Sequence, residues 1–464
     1  MTQGSFWDKI VLFSLPLMLT GVLQLLFSTA DLVVIGQFSK TPKVSLAAVS
    51  SNGALVNLII TVALGLSVGA NVVLARAIGA RNADQARKTV HTSLVLALIT
   101  GVIFGLVGFF GAPLFLTWMK TDPAIMEKAT TYLRIYFLGM PANLVYNFTS
   151  SLMRADGDTK HPLYFLAAGG VLNVVLNVVF VACFDMDVAG VAVATIVSQY
   201  VSAVLNVITM CRSQGYLQLR LKELKIHKAE LRSIVQVGLP SGVLNSCFSI
   251  ANVIIQTSIN KLGAVYGIDL VTGSSTSGNV EGFVYVAMNA FASAATTFAG
   301  QNFGAKKYKR IKTTMWVCSL LVVIANVVVG GLVLLFGRQI CGLYAPGEEQ
   351  VIDFSMQRMW VLIPIYFLCS IAEVLAGGLN SMGHSVSPMI VSFFSICVFR
   401  LIWVYTACVA VQTPEMLYLS YPISWVLDTA AMLLLFVLAY RKLIRSDTPQ
   451  PPRAGELLET QESV

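Results

Sequence analysis

Apolar stretches long enough to cross a hydrocarbon layer recur along almost the whole chain, and they leave little choice of fold. Residues 92–119, 162–184, 188–211 and 313–337 are examples. A helix needs roughly 20 apolar residues to span a bilayer core. With no water there to bond, the backbone must satisfy its N–H and C=O groups within the segment, which a helix does and a lone strand cannot. A membrane barrel would show alternating apolar and polar residues over roughly 10-residue units, and no such pattern occurs in this sequence. Charged residues make up only 12% of the 464, about half the share in a soluble domain. The expected fold class is all-α, a polytopic membrane protein.

Breaks rich in charge, Gly or Pro divide the chain into twelve expected spans: 10–36, 53–75, 90–118, 132–153, 162–184, 188–211, 234–260, 278–302, 313–337, 355–379, 386–410 and 416–440. The first exceeds the apolar core of a cleaved signal and lacks a small-residue cleavage site, so it is expected to stay in the mature chain. The net charge of +8 is not a nucleic-acid footprint, because the basic residues sit in alternate connections. With the N-terminus inside, 22 of the 31 Lys and Arg fall on the cytoplasmic side and six on the other. The protein is expected in the cell (inner) membrane, and the positive-inside rule makes both termini cytoplasmic. The eight cysteines are scattered singly, with no CxxC pair, and read as packing residues rather than disulfides or metal ligands. The four histidines (His91, His161, His227, His384) show no metal spacing and read as surface residues.

The chain repeats itself at an offset of 221–226 residues. LQLLFSTAD, ending at Asp31, aligns with LNSCFSIAN, ending at Asn252; IGARNADQARK with FGAKKYKRIKT; and RADGDTKHP with NSMGHSVSP, which places Gly157 on Gly383. Six spans per copy keep both copies in one orientation, so an axis along the membrane normal should relate them. The expected organisation is an N-terminal six-helix lobe at 1–211, a cytoplasmic linker at 212–232 forming a surface helix, a C-terminal six-helix lobe at 233–441 and a disordered tail at 442–464. One chain then holds both halves of a cleft, so a monomer is expected, with membrane lipids around it.

At this point the residues resemble the multidrug and toxic compound extrusion (MATE) family. Pro16, Asp31 and Gly36 in the first span, GANVVLARAIGARNADQARK after the second, MRADGDTKHP after the fourth, and Gly190, Ala194 and Thr195 opening the sixth carry the likeness. The resemblance implies two pseudo-symmetric lobes and export of small organic, often cationic, compounds such as drugs, in exchange for Na+ or H+, with no other cofactor. It also implies a cation site at Asp31, Asn173, Asn177 and Thr195. Asn177 departs from the pattern, which often has a second carboxylate there. A sodium ion at Asp31 is the one metal this reading allows.

Read from chemistry alone, a carboxylate deep in a membrane costs several kcal/mol unless neutralised. Four such acids fall in the spans: Asp31, Glu281, Glu373 and Asp428. Asp31 could carry a proton or an ion, or simply hydrogen-bond its neighbours. Asn173 and Asn177, four apart, share a helix face; their amides suit a cation or ordinary interhelical bonding equally. Asn147 and Glu373 align between the copies as secondary candidates beside Glu281. Arg400 with Asp428 reads as a structural ion pair, with Glu373 as a second partner for the arginine. No GxxxxGK[ST] phosphate loop is present, so an ion gradient rather than ATP should supply energy. Two other readings stay open: a flippase for lipid-linked precursors, which would want a cationic cleft, and a membrane enzyme acting on lipids, which would need a clustered catalytic set. No such set is evident in the sequence, so no enzymatic activity is expected.

Overall fold

The computed structural model describes residues 1–119 and 121–447. In chain order the α-helices are α1 (Trp7–Phe38), α2 (Pro42–Gly79), α3 (Ala83–Trp118), α4 (Pro123–Leu138), α5 (Met140–Asp156), α6 (Lys160–Val178) and α7 (Asp187–Arg212). The second half holds α8 (Lys228–Tyr266), α9 (Ile268–Gly304), α10 (Tyr308–Leu335), α11 (Gly337–Tyr344), α12 (Glu349–Leu362) and α13 (Tyr366–Ser381). It ends with α14 (Val386–Ser392), α15 (Phe399–Tyr405), α16 (Ala407–Ala410), α17 (Pro414–Tyr418) and α18 (Ser420–Asp447). No strand occurs among the described residues.

Among the described residues, eleven helical segments are long and apolar enough to cross a membrane. The expected fourth span breaks at Gly139 into α4 and α5, 16 and 17 residues long. Pro141 stands at the start of α5, where its missing N–H does no harm, whereas inside a continuous helix it would remove a rung. In the second half the matching break is a single 3-10 turn (Ile363–Ile365) between α12 and α13, which holds Pro364. There the segment Glu349–Ser381 still counts as one span, and α4 with α5 in series supplies the matching twelfth crossing.

The duplication is written in the backbone. Gly157 and Gly383 both take left-handed φ, +105° and +94°, a conformation that a side chain disfavours. The following residue, Asp158 or His384, bonds back to Met153 O (2.9 Å) or Leu379 O (2.9 Å). The turns between the second and third spans match as well: Arg81 and Lys306 have φ of 55° and 54°.

The two halves meet through α1 and α2 against α9 and α8. At Gly65 the first side-chain carbon would lie 2.2 Å from Gly242 Cα, and at Gly69 it would lie 2.3 Å from Ile234 O. Only hydrogen at these positions allows so close an approach, and close approach is what drives helix association in lipid. Phe13 and Phe298 meet edge-on at 5.6 Å across the same seam. On the face rich in basic residues the contact becomes a reciprocal clasp. Arg76 donates to Ser381 O (3.0 Å) and Asn380 O (2.8 Å), while Gln301, its equivalent in the repeat, donates to Ala155 O (2.7 Å). Beside the clasp, Thr297 Oγ1 donates to Asn71 Oδ1 across the seam at 3.2 Å.

The connection after α7 is not the expected surface helix; it holds one 3-10 turn, Leu221–Glu223. Leu217 and Leu219 are buried while Gln218 between them and Arg220 after them are not, the period of an extended strap rather than a helix. The strap is tied to α3, where Arg220 N bonds the ring of His91 at 3.2 Å and Arg87 pairs with Glu223. His91, expected at the surface, is accordingly buried. The helix α18 continues to Asp447, through the start of the expected tail; 448–464 lie outside the described residues.

Candidate cation-coupling site

Asp31 lies on α1 two turns from its end, Asn173 and Asn177 on α6, and Thr195 on α7. Because α6 packs against both α1 and α7, the asparagines, one turn apart on a single face, bridge the other two residues. Thr195 Oγ1 accepts from Asn173 Nδ2 (3.3 Å), Asn173 Oδ1 from Asn177 Nδ2 (3.2 Å), and Asp31 Oδ1 from the same Asn177 Nδ2 (2.5 Å). Thr195 donates onward to Val191 O at 2.9 Å. All four residues implied by the family resemblance thus form one hydrogen-bonded chain. Directly after Asn177 the helix widens into a π-helical turn, Val179–Cys183, a distortion frequent at functional sites.

The chain is incomplete in an informative way. Asn177 is fully buried, and its Oδ1 has no hydrogen-bond partner among the described residues. Asp31 makes no ion pair among the described residues. A bare carboxylate beside an orphaned carbonyl oxygen is an environment short of one positive charge. One acid with neutral amide and hydroxyl oxygens suits a proton or a singly charged hard cation. No group of three or more His, Cys, Asp or Glu capable of holding a metal occurs among the described residues.

The second half fills the corresponding place from within. Asn252 replaces Asp31, and the Arg400 guanidinium donates to its Oδ1 (3.3 Å) and to Ser424 Oγ (3.0 Å). The same guanidinium stacks over Tyr421 at 4.1 Å, at the position that corresponds to Thr195. Where the first half has an acid and no cation, the second has a neutral amide and a resident cation.

This arrangement corrects the expected pairing of Arg400 with Asp428. The two make no ion pair; Asp428 instead accepts from Ser392 Oγ at 2.9 Å. Arg400, on α15, is committed to Asn252 on α8 and Ser424 on α18. The buried ion pair is a different one, between Glu281 and Arg358, which stands near the start of the expected span 355–379. Arg358 grips Glu281 with two nitrogens (3.0 and 3.1 Å), donates to Ser274 Oγ (2.7 Å), and lies near the rings of Tyr418 and Tyr421. Glu281 also accepts from Ser277 at 2.7 Å, so it is neutralised and cross-links α9 to α12. Asn147 bonds only within α5, to Asn143 O (2.8 Å) and Oδ1 (3.1 Å), and does not join the Asp31 chain. Glu373 lies near Tyr285 and Asp428 without a hydrogen bond or ion pair among the described residues.

Comparison with known sequences agrees with the duplication. The MatE family profile matches twice, over residues 16–179 and 240–406. The chain belongs to the MatE family. It is a membrane transporter and not an enzyme. Its relatives include a probable multidrug resistance protein, YpnP, of Bacillus subtilis, 28% identical over 86% of this chain and 88% of that protein. Another is a probable multidrug resistance protein, NorM, of Thermotoga maritima, 26% identical over 85% of this chain and 84% of that one. Among solved structures, an outward-facing MATE-family multidrug resistance transporter superposes with a TM-score of 0.87 at 22% identity, covering 96% of this chain and 98% of the other. That likeness establishes the shared fold.

Proposed function

We propose that the protein exports small organic, often cationic, compounds in exchange for Na+ or H+, with Asp31 as the coupling carboxylate. The observation that carries this reading is the contrast between the halves: an unpaired acid beside the orphaned Asn177 Oδ1 in one, and a built-in Arg400 at the same place in the other. A cation supplied from solution would do for the first half what Arg400 does for the second. A proton on Asp31 could be donated to Asn177 once that amide turned its oxygen inward, and sodium would draw on the carboxylate and the neighbouring amide and hydroxyl oxygens. Charging and discharging this site would bias the packing of α1 against α6, and so which side of the cleft opens.

The names of its relatives point to drug-like substrates. The basic face is read as cytoplasmic, and a single chain is read as the working unit. Everted membrane vesicles with ethidium supplied outside as the probe, and a sodium or a proton gradient imposed separately, test the exchange. Uptake driven by one gradient and abolished by its collapse is expected; uptake indifferent to both would remove the proposal.

The clasp on the basic face is the closed gate of this reading. Hydrogen bonds to a charged group contribute about 1.5–3 kcal/mol, so Arg76→Ala should shift the conformational equilibrium roughly tenfold or more toward opening on that face. Labelling of a cysteine placed at Ser381 should rise accordingly in the Arg76→Ala background, and unchanged labelling would show that the seam of glycines holds the gate alone.

A further inference from the structure

Each half carries a groove just past its glycine turn, at the basic end of the helices, and the two grooves are the same place in the duplicated unit. In the second half the groove lies between the start of α14 and the last turns of α18, encloses about 190 Å3, and has His384, Ser387 and Lys442 as its polar lining. In the first half it lies between the start of α6 and the end of α7, encloses about 310 Å3, and includes Asp158, His161 and Arg212. His384 stands where Asp158 stands, Ser387 where His161 stands, and Leu438 where Arg212 stands, each pair 226 residues apart. A groove retained at both copies is a product of the fold; what differs is its charge.

In the first half that charge is settled internally. The Asp158 carboxylate accepts from the His161 ring at 2.5 Å and from the backbone N–H groups of Lys160 and His161 at 3.1 Å each. In the second half no acid lines the groove, and neither Lys442 nor His384 has a side-chain hydrogen bond or ion pair among the described residues. Beside it, Val386 and Ile390 on α14 and Leu434 and Leu438 on α18 are exposed. On helices that cross a membrane those side chains face acyl tails.

We infer that the second-half groove binds an anionic phospholipid, with its phosphate held by Lys442, His384 and Ser387 and its acyl chains lying along the leucine and isoleucine wall. A basic residue at an anionic membrane surface is worth about 1 kcal/mol, and the hydroxyl and imidazole give the phosphate fixed donors. Asp158 plays the anion's part in the other groove, which therefore takes no such lipid.

Native mass spectrometry of the full-length protein with added phosphatidylglycerol or phosphatidylcholine tests this. The parent chain should retain one phosphatidylglycerol in preference to phosphatidylcholine. Lys442→Gln should lower that retention about fivefold, the equivalent of about 1 kcal/mol. His384→Asp, which installs the acid of the first-half groove, should lower it further, with ethidium export intact in both variants as proof of folding. Equal retention by the parent and the His384→Asp, Lys442→Gln double variant overturns the site. So does protection from thermal unfolding by inorganic phosphate as strong as that by the lipid.

Discussion

Asp31→Asn should abolish gradient-driven export, by about 100-fold or more, while the protein folds and melts like the parent. The structural cost is small because the amide keeps the volume of the carboxylate, and its oxygen can still accept the hydrogen bond that Asn177 Nδ2 donates to Asp31 Oδ1 at 2.5 Å. The second half shows directly that asparagine fits at this place, since Asn252 occupies it. What the substitution removes is the only negative charge in the Thr195–Asn173–Asn177–Asp31 chain, and a neutral site has nothing to exchange with a cation. Asp31→Glu should retain part of the coupling, since the charge survives with its reach altered. Transport by vesicles under imposed gradients, with thermal unfolding of the same preparations, checks both. Full coupled export by the asparagine variant would end the assignment.

The opposite signature is expected at Glu281. Removing Arg358, as in Arg358→Met, strips a buried carboxylate of two guanidinium bonds and leaves it among Ser277 and apolar neighbours. Breaking a buried pair by removing one partner costs about 3–5 kcal/mol, whereas replacing both partners is often close to neutral. Arg358→Met should therefore lower the thermal midpoint by many degrees, and adding Glu281→Gln should recover much of the loss. That recovery is the measurement that separates the two acids: Asp31 is expected to matter for coupling and little for stability, Glu281 for stability. An Arg358→Met protein that melts with the parent but has lost export would move Glu281 into the transport machinery.

Both outcomes depend on where charge is left unbalanced, and the sequence reveals this only in part. The helical membrane fold and the duplication were legible because each is local or periodic: twenty apolar residues demand a helix wherever they occur, and glycine with a left-handed φ recurs at Gly157 and Gly383 because the same turn recurs. The four polar residues of the Asp31 chain were legible through their resemblance to a family and the one-turn spacing of Asn173 and Asn177. The partner of each buried charge was not. Arg400 faces both an amide on α8 and an acid on α18 in sequence terms, and only packing places Asn252 and Ser424, rather than Asp428, at its nitrogens.

By itself the sequence determined the membrane-spanning helices, their pairing into two equivalent sets and the identity of the polar residues inside them, because hydrophobic length and repetition are properties of the chain read along one line. Only the tertiary structure decided that Arg358 neutralises Glu281, that Arg400 serves the place of a cation, and that Asp31 is left without one. Those assignments depend on contacts between helices far apart in sequence, where a displacement of a few ångströms exchanges one partner for another and the strength of a charge pair in a medium of low dielectric follows that distance.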